Sequence, residues 1–274
     1  MERDLVFDIG VNNGEDTAHY LQRGFRVVGV EANPEMAAFC EQRFPEEIRS
    51  GRLVVLNVAL ADEDGAATFF VSEGNRGVWS SLDPELAVRD NLGAHAVAVR
   101  ARSLRSLLQE YGVPYYLKVD IEGAEHLGLR GIDPADAPAY VSFEAASGRL
   151  ENLFLLAQAG YTRFKLISQF NFRQVLPPPL HSGALAGAIL SGLAKDKLRR
   201  VPGLVRTVHF MRGVRAEGDS DDASLPQGSS MTSGPMAEDT DGPWRSVEEV
   251  AYAWLHYVRE FSTTNDWYDV HAAR

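Results

Sequence analysis

The sequence predicts a doubly wound α/β protein, with a mostly parallel sheet and helices on both faces. Three observations predict it. Short apolar runs alternate with amphipathic stretches through the first 170 residues, the pattern of strands joined by helical crossovers. The first apolar run ends in an acid and a glycine-rich turn, Asp8, Gly10 and Gly14. Later runs close on further polar groups, Glu31, Asn57, Asp120 and Glu144.

The elements follow in order. LVFDI (5–9) reads as a buried strand, and GEDTAHYLQR (14–23) as a helix with acids in its first turn. RVVGVE (26–31) is a second strand. NPEMAAFCEQRF (33–44) is a second helix, with Asn33 as cap and Pro34 at its first position. RLVVLNVAL (52–60) is a third strand, and GAATFFV (65–71) with AVAVRA (96–101) an added hairpin or edge pair. SLRSLLQEYG (103–112) is a helix, YYLKVDIE (115–122) the fourth core strand and GAEHLGLRGI (123–132) a short helix. AYVSFE (139–144) is the fifth strand, RLENLFLLAQAG (149–160) a helix and TRFKLI (162–167) the sixth strand.

Three prolines, 177–179, stop that alternation. The expected domains are a core over 1–176, a lid-like and partly flexible insertion over 177–243, and a C-terminal helix and strand over 244–274 that complete the core. Within the insertion, 181–201 is amphipathic with a basic end, read as a lid helix packed on the core. Residues 215–243 are polar and rich in glycine, serine and acids. SVEEVAYAWLHYVREF (246–261) is a helix and DWYDVHA (266–272) a last strand.

Composition narrows the function. Asp and Glu number 38 against 27 Lys and Arg, a net charge of −11, which disfavours a general phosphate-backbone binder. The single cysteine, Cys40, permits no internal disulfide, as in a reducing compartment. The opening MERDLVF has no apolar leader. The longest small and apolar run, 183–194, is too short for a bilayer span, which needs about 20 residues. The expectation is a cytoplasmic protein.

In open α/β sheets, ligands bind beyond the carboxyl ends of the strands. Topology therefore places the site at 8–14, 31–33, 57–60 and 120–122, and at Glu144. The turn is D-x-G-x-x-x-G and not the dinucleotide G-x-G-x-x-G. An aspartate beside it repels a diphosphate and suits a cationic ligand. S-adenosylmethionine fits, with an ammonium, a sulfonium and no phosphate. Asp8 then faces the ammonium, directly or through water, and Gly10 lets backbone approach the methionine part. Glu31 accepts from the ribose hydroxyls. Ala32 and Asn33 share that edge, and Asn57, Val58 and Ala59 end the third strand where adenine lies. Asn12 and Asn13 complete the turn before Gly14.

The segments 7–17, 27–36, 57–71, 78–82, 99–108 and 116–132 resemble the FkbM family of methyltransferases, with KVDIEGAE (118–125) the most specific piece. The endings 229–244 and 267–272 are similar to one branch of that family. The resemblance implies a Rossmann-like class I methyltransferase fold, a seven-stranded sheet whose last strand is antiparallel. It also implies S-adenosylmethionine as cofactor and methylation of hydroxyl oxygens of sugars or secondary metabolites. By the motif match, Asp8, Gly10, Asn12, Gly14, Glu31 and Asn57 line the cofactor, and Asp120 and Glu122 face the reaction centre.

An alcohol acceptor must lose its proton as the new bond forms. Asp120 is the expected base, with Glu122 and Glu144 in support and His126, one turn into the next helix, as a weaker candidate. Alternation places Lys118 and Asp120 on one side of their strand. Three carboxylates in one crevice raise one another's pKa or, alternatively, hold a divalent metal such as Mg²⁺. No zinc pattern is present. Trp79, Ser80 and Ser81, and also Gln169 and Asn171, are either acceptor contacts or local structure. The partner expected is a small-molecule or glycan acceptor, with a homo-oligomer admitted, no nucleic acid and no firm membrane association. The rivals are an NAD-dependent oxidoreductase, which the turn and Asp8 disfavour, and a non-catalytic nucleoside-binding module.

Overall fold

Continuous apolar runs become the buried strands of one sheet because both of their faces are covered. In the computed structural model, residues 1–73, 80–88, 93–145, 149–169, 171–176, 233–258 and 267–274 are described. The chain divides into a unit of Met1–Val175 with Met231–Arg274, and a second unit, Leu176–Ser230. Residues 177–232, with the amphipathic stretch 181–201, lie outside the described residues.

The main sheet has seven strands: β1 (Glu2–Ile9), β2 (Arg26–Val30), β3 (Leu53–Leu56), β7 (Pro114–Val119), β8 (Tyr140–Glu144), β9 (Arg163–Ser168) and β10 (Tyr268–Ala273). Their order is β3-β2-β1-β7-β8-β10-β9, with β10 antiparallel to both neighbours and the other pairs parallel. This is the Rossmann-like class I methyltransferase arrangement. Helices cover both faces. α1 (Glu15–Gln22) and α2 (Pro34–Arg43) bury Tyr20, Leu21 and Cys40 with Val6, Val27 and Tyr116. On the other face, α5 (Leu104–Tyr111), α6 (Glu125–Arg130), α7 (Glu151–Gln158) and α8 (Val247–Tyr257) bury Leu107, Leu129, Leu153 and Trp254 with Phe7, Leu117 and Phe143. Among the described residues no helix is long and apolar enough to cross a membrane.

Two expectations change in detail. The third strand does not run unbroken over 52–60. It breaks at Asn57, whose side chain turns to the backbone just past β2, and resumes as β4 (Ala59–Ala61) in a second sheet. That sheet has three strands and not two: β4 is parallel to β6 (Ala94–Ser103), which pairs antiparallel with β5 (Gly65–Ser72). The short helix α3 (Pro45–Arg49) was not expected; α4 (Pro84–Ala87), capped by Asp83, is the local-structure alternative for the segment after Ser81, and each is opened by a proline. Ser246 caps α8 in a reciprocal box with Glu249.

Residues 233–245 lie on the β8–β10–β9 half of the sheet. Lys165 on β9 is buried and its Nζ donates to Thr240 O at 2.8 Å and Thr240 Oγ1 at 2.9 Å. The same ammonium lies 4.4 Å from the Trp244 ring. Glu238 accepts from Tyr140 and from the Trp244 indole, 2.7 and 2.8 Å.

The backbone crossing at Gly10 brings β1 and β7 together at their tips. Gly10 has φ +90°, and a Cβ there would stand 1.7 Å from the carbonyl oxygen of Asp120. The Asp120 N–H donates to Ile9 O at 2.9 Å and the Gly10 N–H to Val30 O at 2.8 Å. No side chain fits without parting the strand ends. Gly10→Ala is therefore expected to destabilise the fold by about 2 kcal/mol or more, read from urea unfolding. Unchanged stability would mean the strand tips are not packed this way.

Candidate active site

The polar groups at the strand tips come from separate elements and form two joined clusters. The first surrounds Glu31, just past β2. Its Oε2 accepts from the Asn12 N–H at 2.7 Å and its Oε1 from the Asn33 N–H at 2.8 Å. Asn33 caps α2 by accepting from Glu35 N at 3.0 Å, as the sequence implies. Asn57 Nδ2 donates to the carbonyls of Glu31 and Ala32, at 2.9 and 3.2 Å. The Asn13 side chain accepts from Glu15 N at 3.1 Å and its carbonyl from Arg43 at 2.5 Å. Gly14 opens α1 against the Phe44 ring. Burial lifts the Glu31 carboxyl, against the pull of its two backbone donors. Val58 and Ala59 are buried, Val58 in the main core and Ala59 against the small sheet.

The second cluster is built on Lys118. Asp8 and Lys118 are register partners on β1 and β7, so their side chains share one face. The Lys118 Nζ lies 2.9 Å from Asp16, 3.2 Å from Asp120 and 3.6 Å from Asp8. Burial works against this ammonium, but Asp16, Asp120 and Asp8 outweigh it and hold its pKa well above the ordinary lysine value. Asp8 is fully enclosed and takes a 2.6 Å hydrogen bond from Thr17 Oγ1. Burial pushes its carboxyl up to about 6, against the pull of Lys118. Asp16 also accepts from the Ser233 N–H at 2.8 Å, so the 233–245 segment reaches this cluster.

Asp120 is 37 % exposed and turns toward Glu122 and Glu144. Carboxylate oxygens of the three lie within 4.8 Å of one another, the arrangement that alternation and topology predicted. Among the described residues this is the group of acids able to hold a metal ion. Burial, then Glu122 and Asp120, pushes the Glu144 carboxyl well above the ordinary value. Asp269, opposite Glu144 in the sheet, is buried and likewise pushed up by burial and then by Asp120. Such a set holds protons that isolated carboxyls release.

His126 sits elsewhere. The charges it feels are those of Arg149, Arg130, Asp62 and Glu151, and burial lowers its pKa. Ser81 bonds backbone at both ends, donating to Glu122 O and accepting from Asp83 N. The Asn171 Oδ1 accepts from Arg173 N in a local turn. Gln169 is buried, its Nε2 without a hydrogen bond. Trp79 lies outside the described residues.

Sequence reasoning missed Asp16, Thr17, Glu125 and Asp269. Asp16 and Thr17 carried a usable signal, since the first turn after a strand-tip glycine faces that tip. Asp269 stood in the last strand, whose neighbours only the topology reveals. Glu125 Oε1 accepts from Gly123 N at 2.9 Å and Ile121 N at 3.3 Å, and burial pushes its carboxyl up to about 7.

The family model of the methyltransferase FkbM domain matches residues 8–156. A curated relative, the ribosomal RNA small subunit methyltransferase H of Gemmatimonas aurantiaca, is 40% identical over 65 residues, 23% of this chain and 21% of that protein. The chain thus spans about a fifth of that relative's length. Among solved structures, the methyltransferase FkbM from Methylobacillus flagellatus KT aligns with a TM-score of 0.36 and 16% identity, over 52% of this chain and 33% of that one. A SAM dependent methyltransferase from Archaeoglobus fulgidus aligns with a TM-score of 0.36 and 12% identity, over 100% of this chain and 87% of that one.

Removing the ammonium leaves Asp8, Asp16 and Asp120 facing one another. Lys118→Met is expected to destabilise the fold by about 3–5 kcal/mol in urea unfolding, and Asp8→Asn in that background to recover part of the loss. An unaffected single variant would remove the cluster's structural role. For Glu125, the folded chain keeps its proton up to about 7 and the unfolded chain gives it up near the ordinary 4.5. Its contribution to stability therefore falls as pH rises through that window. Glu125→Gln is expected to flatten that slope in unfolding curves taken between pH 5 and pH 7; an unchanged slope assigns it to other groups.

Proposed function

The chain belongs to the FkbM methyltransferase domain family, and on that premise we propose that it transfers a methyl group from S-adenosylmethionine to a hydroxyl oxygen of a sugar or small secondary metabolite. The observation that carries this reading is the charge at the strand tips, three aspartates to one lysine, with Glu122 and Glu144 beside the third of them, Asp120. A cationic sulfonium with an ammonium suits that surplus, and a diphosphate does not.

The residues fit the cofactor. Gly10 leaves bare backbone where any Cβ would collide, and Glu31 is fixed by two backbone donors with lone pairs left for the ribose hydroxyls. Asn57, Ala32 and Asn33 form the edge beside it. Asp8, enclosed, acts through Lys118 and sets the position of Asp120. Bound there, S-adenosylmethionine supplies an electrophilic methyl on sulfur. The chain aligns the acceptor oxygen with it, since in-line displacement is mostly positioning. An Asp120 carboxylate oxygen takes the hydroxyl proton as the carbon–oxygen bond forms and the methyl–sulfur bond breaks, with Glu122 and Glu144 beside it.

A second reading gives the same three acids to Mg²⁺, which their 4.8 Å grouping admits. EDTA separates the two: turnover is unchanged when Asp120 acts as a base and lost when a cation is required. S-adenosylhomocysteine is expected to raise the melting temperature and NAD to leave it unmoved; the reverse would make the protein an oxidoreductase. Asp120→Asn is expected to bind S-adenosylhomocysteine as wild type does in calorimetry, while methyl transfer falls by about 100-fold or more. Normal turnover in that variant rules Asp120 out as the base.

A further inference from the structure

Glu122 reaches Asp120 and Glu144 only because its backbone is held in a conformation that a glutamate rarely adopts. Its φ is +51°, and Gly123 follows at +91°. Two forces oppose this placement: the backbone preference of an L residue, and repulsion from the two neighbouring carboxylates. Something must hold the turn closed.

Two enclosed side chains grip it from opposite sides. Ser81 Oγ donates to the Glu122 carbonyl at 3.0 Å. Ser81 is itself fixed, since its Oγ accepts from Asp83 N at 3.1 Å and its backbone bonds Phe70 in both directions. From the helix side, Glu125 Oε1 takes the N–H groups on either side of Glu122, those of Gly123 and Ile121. α6 has no side-chain cap at Ala124, so the Glu125 carboxylate turns back into the loop instead. Leu86 of α4 closes the gap, and a Cβ on Gly123 would stand 2.5 Å from its Cδ1. Ser81 and Glu125 are both 0 % exposed, so neither faces an acceptor.

We propose that Ser81 and Glu125 are positioning residues, a two-sided clamp that holds Glu122 in its left-handed conformation and presents its carboxylate to the acceptor beside Asp120 and Glu144. The role toward an acceptor rests on the methyl-transfer reading; the clamp geometry does not. Glu122 is then the acceptor-facing residue whose place depends on one distant segment, at Ser81, and on the start of the helix that follows it, at Glu125. The Glu125 carboxyl, which burial lifts to about 7, holds both N–H groups most firmly when ionised.

Ser81→Ala, Glu125→Gln and Glu125→Ala test this. Glutamine keeps the accepting Oε1 and alanine removes it, and both lack the charge, so their difference reports positioning alone. Crystals are grown with and without S-adenosylhomocysteine. Glu122 is expected to leave positive φ and the Glu144 carboxylate in Ser81→Ala and Glu125→Ala, and to stay in Glu125→Gln. With an accepted hydroxyl substrate, kcat is expected to fall about 10-fold in the first two, to be restored in Glu125→Gln, and the KM for S-adenosylmethionine to stay constant. Glu122 unmoved in both truncated variants, or Glu125→Gln as impaired as Glu125→Ala, overturns the proposal. If Glu125→Ala does not fold, Glu122→Gly/Glu125→Ala decides: glycine takes this φ freely, so recovered folding supports the clamp and no recovery overturns it. A wild-type protein that binds NAD and no S-adenosylhomocysteine defeats the methyl-transfer reading and leaves the Glu122 arm standing.

Discussion

One buried ammonium holds the centre of this molecule together. Lys118 is almost entirely enclosed and lies within 3.6 Å of three aspartates. Taking Lys118, Asp8 and Asp16 out of water is expensive, and mutual attraction offsets it only when geometry is tight. The sheet supplies that geometry, because parallel register sets Asp8 beside Lys118. α1 adds Asp16 and Thr17, and the tip of β7 adds Asp120. The cluster therefore ties two strands and a helix to one point, and Asp120, its most exposed member, extends it into the candidate active site.

The 233–245 segment shows how irregular backbone can cover a sheet when side chains satisfy it. Lys165 rises from β9 under the Trp244 ring and gives hydrogen bonds to Thr240. Glu238 gathers Tyr140 and Trp244, and Met236 fills the apolar space beside Tyr20 and Tyr116. The segment's first described residue, Ser233, bonds Asp16. The same stretch of chain thus seals the sheet face and braces the lysine cluster.

Much of this was legible in the sequence. Apolar runs bounded by helical stretches marked the seven strands, and polar residues ending those runs marked the groups that gather at the strand tips. Asn33 with Pro34 announced α2, and strand alternation put Lys118 next to Asp120. What stayed hidden depended on tertiary placement. Asn57 broke the third strand because its amide found the backbone just past β2, a contact no local pattern encodes. Asp8 stood at a strand tip, but that position alone did not reveal enclosure by Thr17 and Lys118. The pattern marked His126 as one turn from Asp120, yet its short helix places it among Arg130, Arg149 and Asp62. Asp269 joined Glu144 only through antiparallel pairing between segments far apart in the chain.

That pairing has a bearing on how the protein is made. β10 is paired along both edges, to β8 and to β9, although it follows all the other strands of its sheet along the chain. β8 and β9, joined by α7, never touch as neighbours in the finished sheet. A ribosome delivers both, β8 the earlier, well before the strand that belongs between them. Until then each presents a row of open amides and carbonyls, the usual template for mispairing. Completion of this half is a high-contact-order event that no local step can substitute.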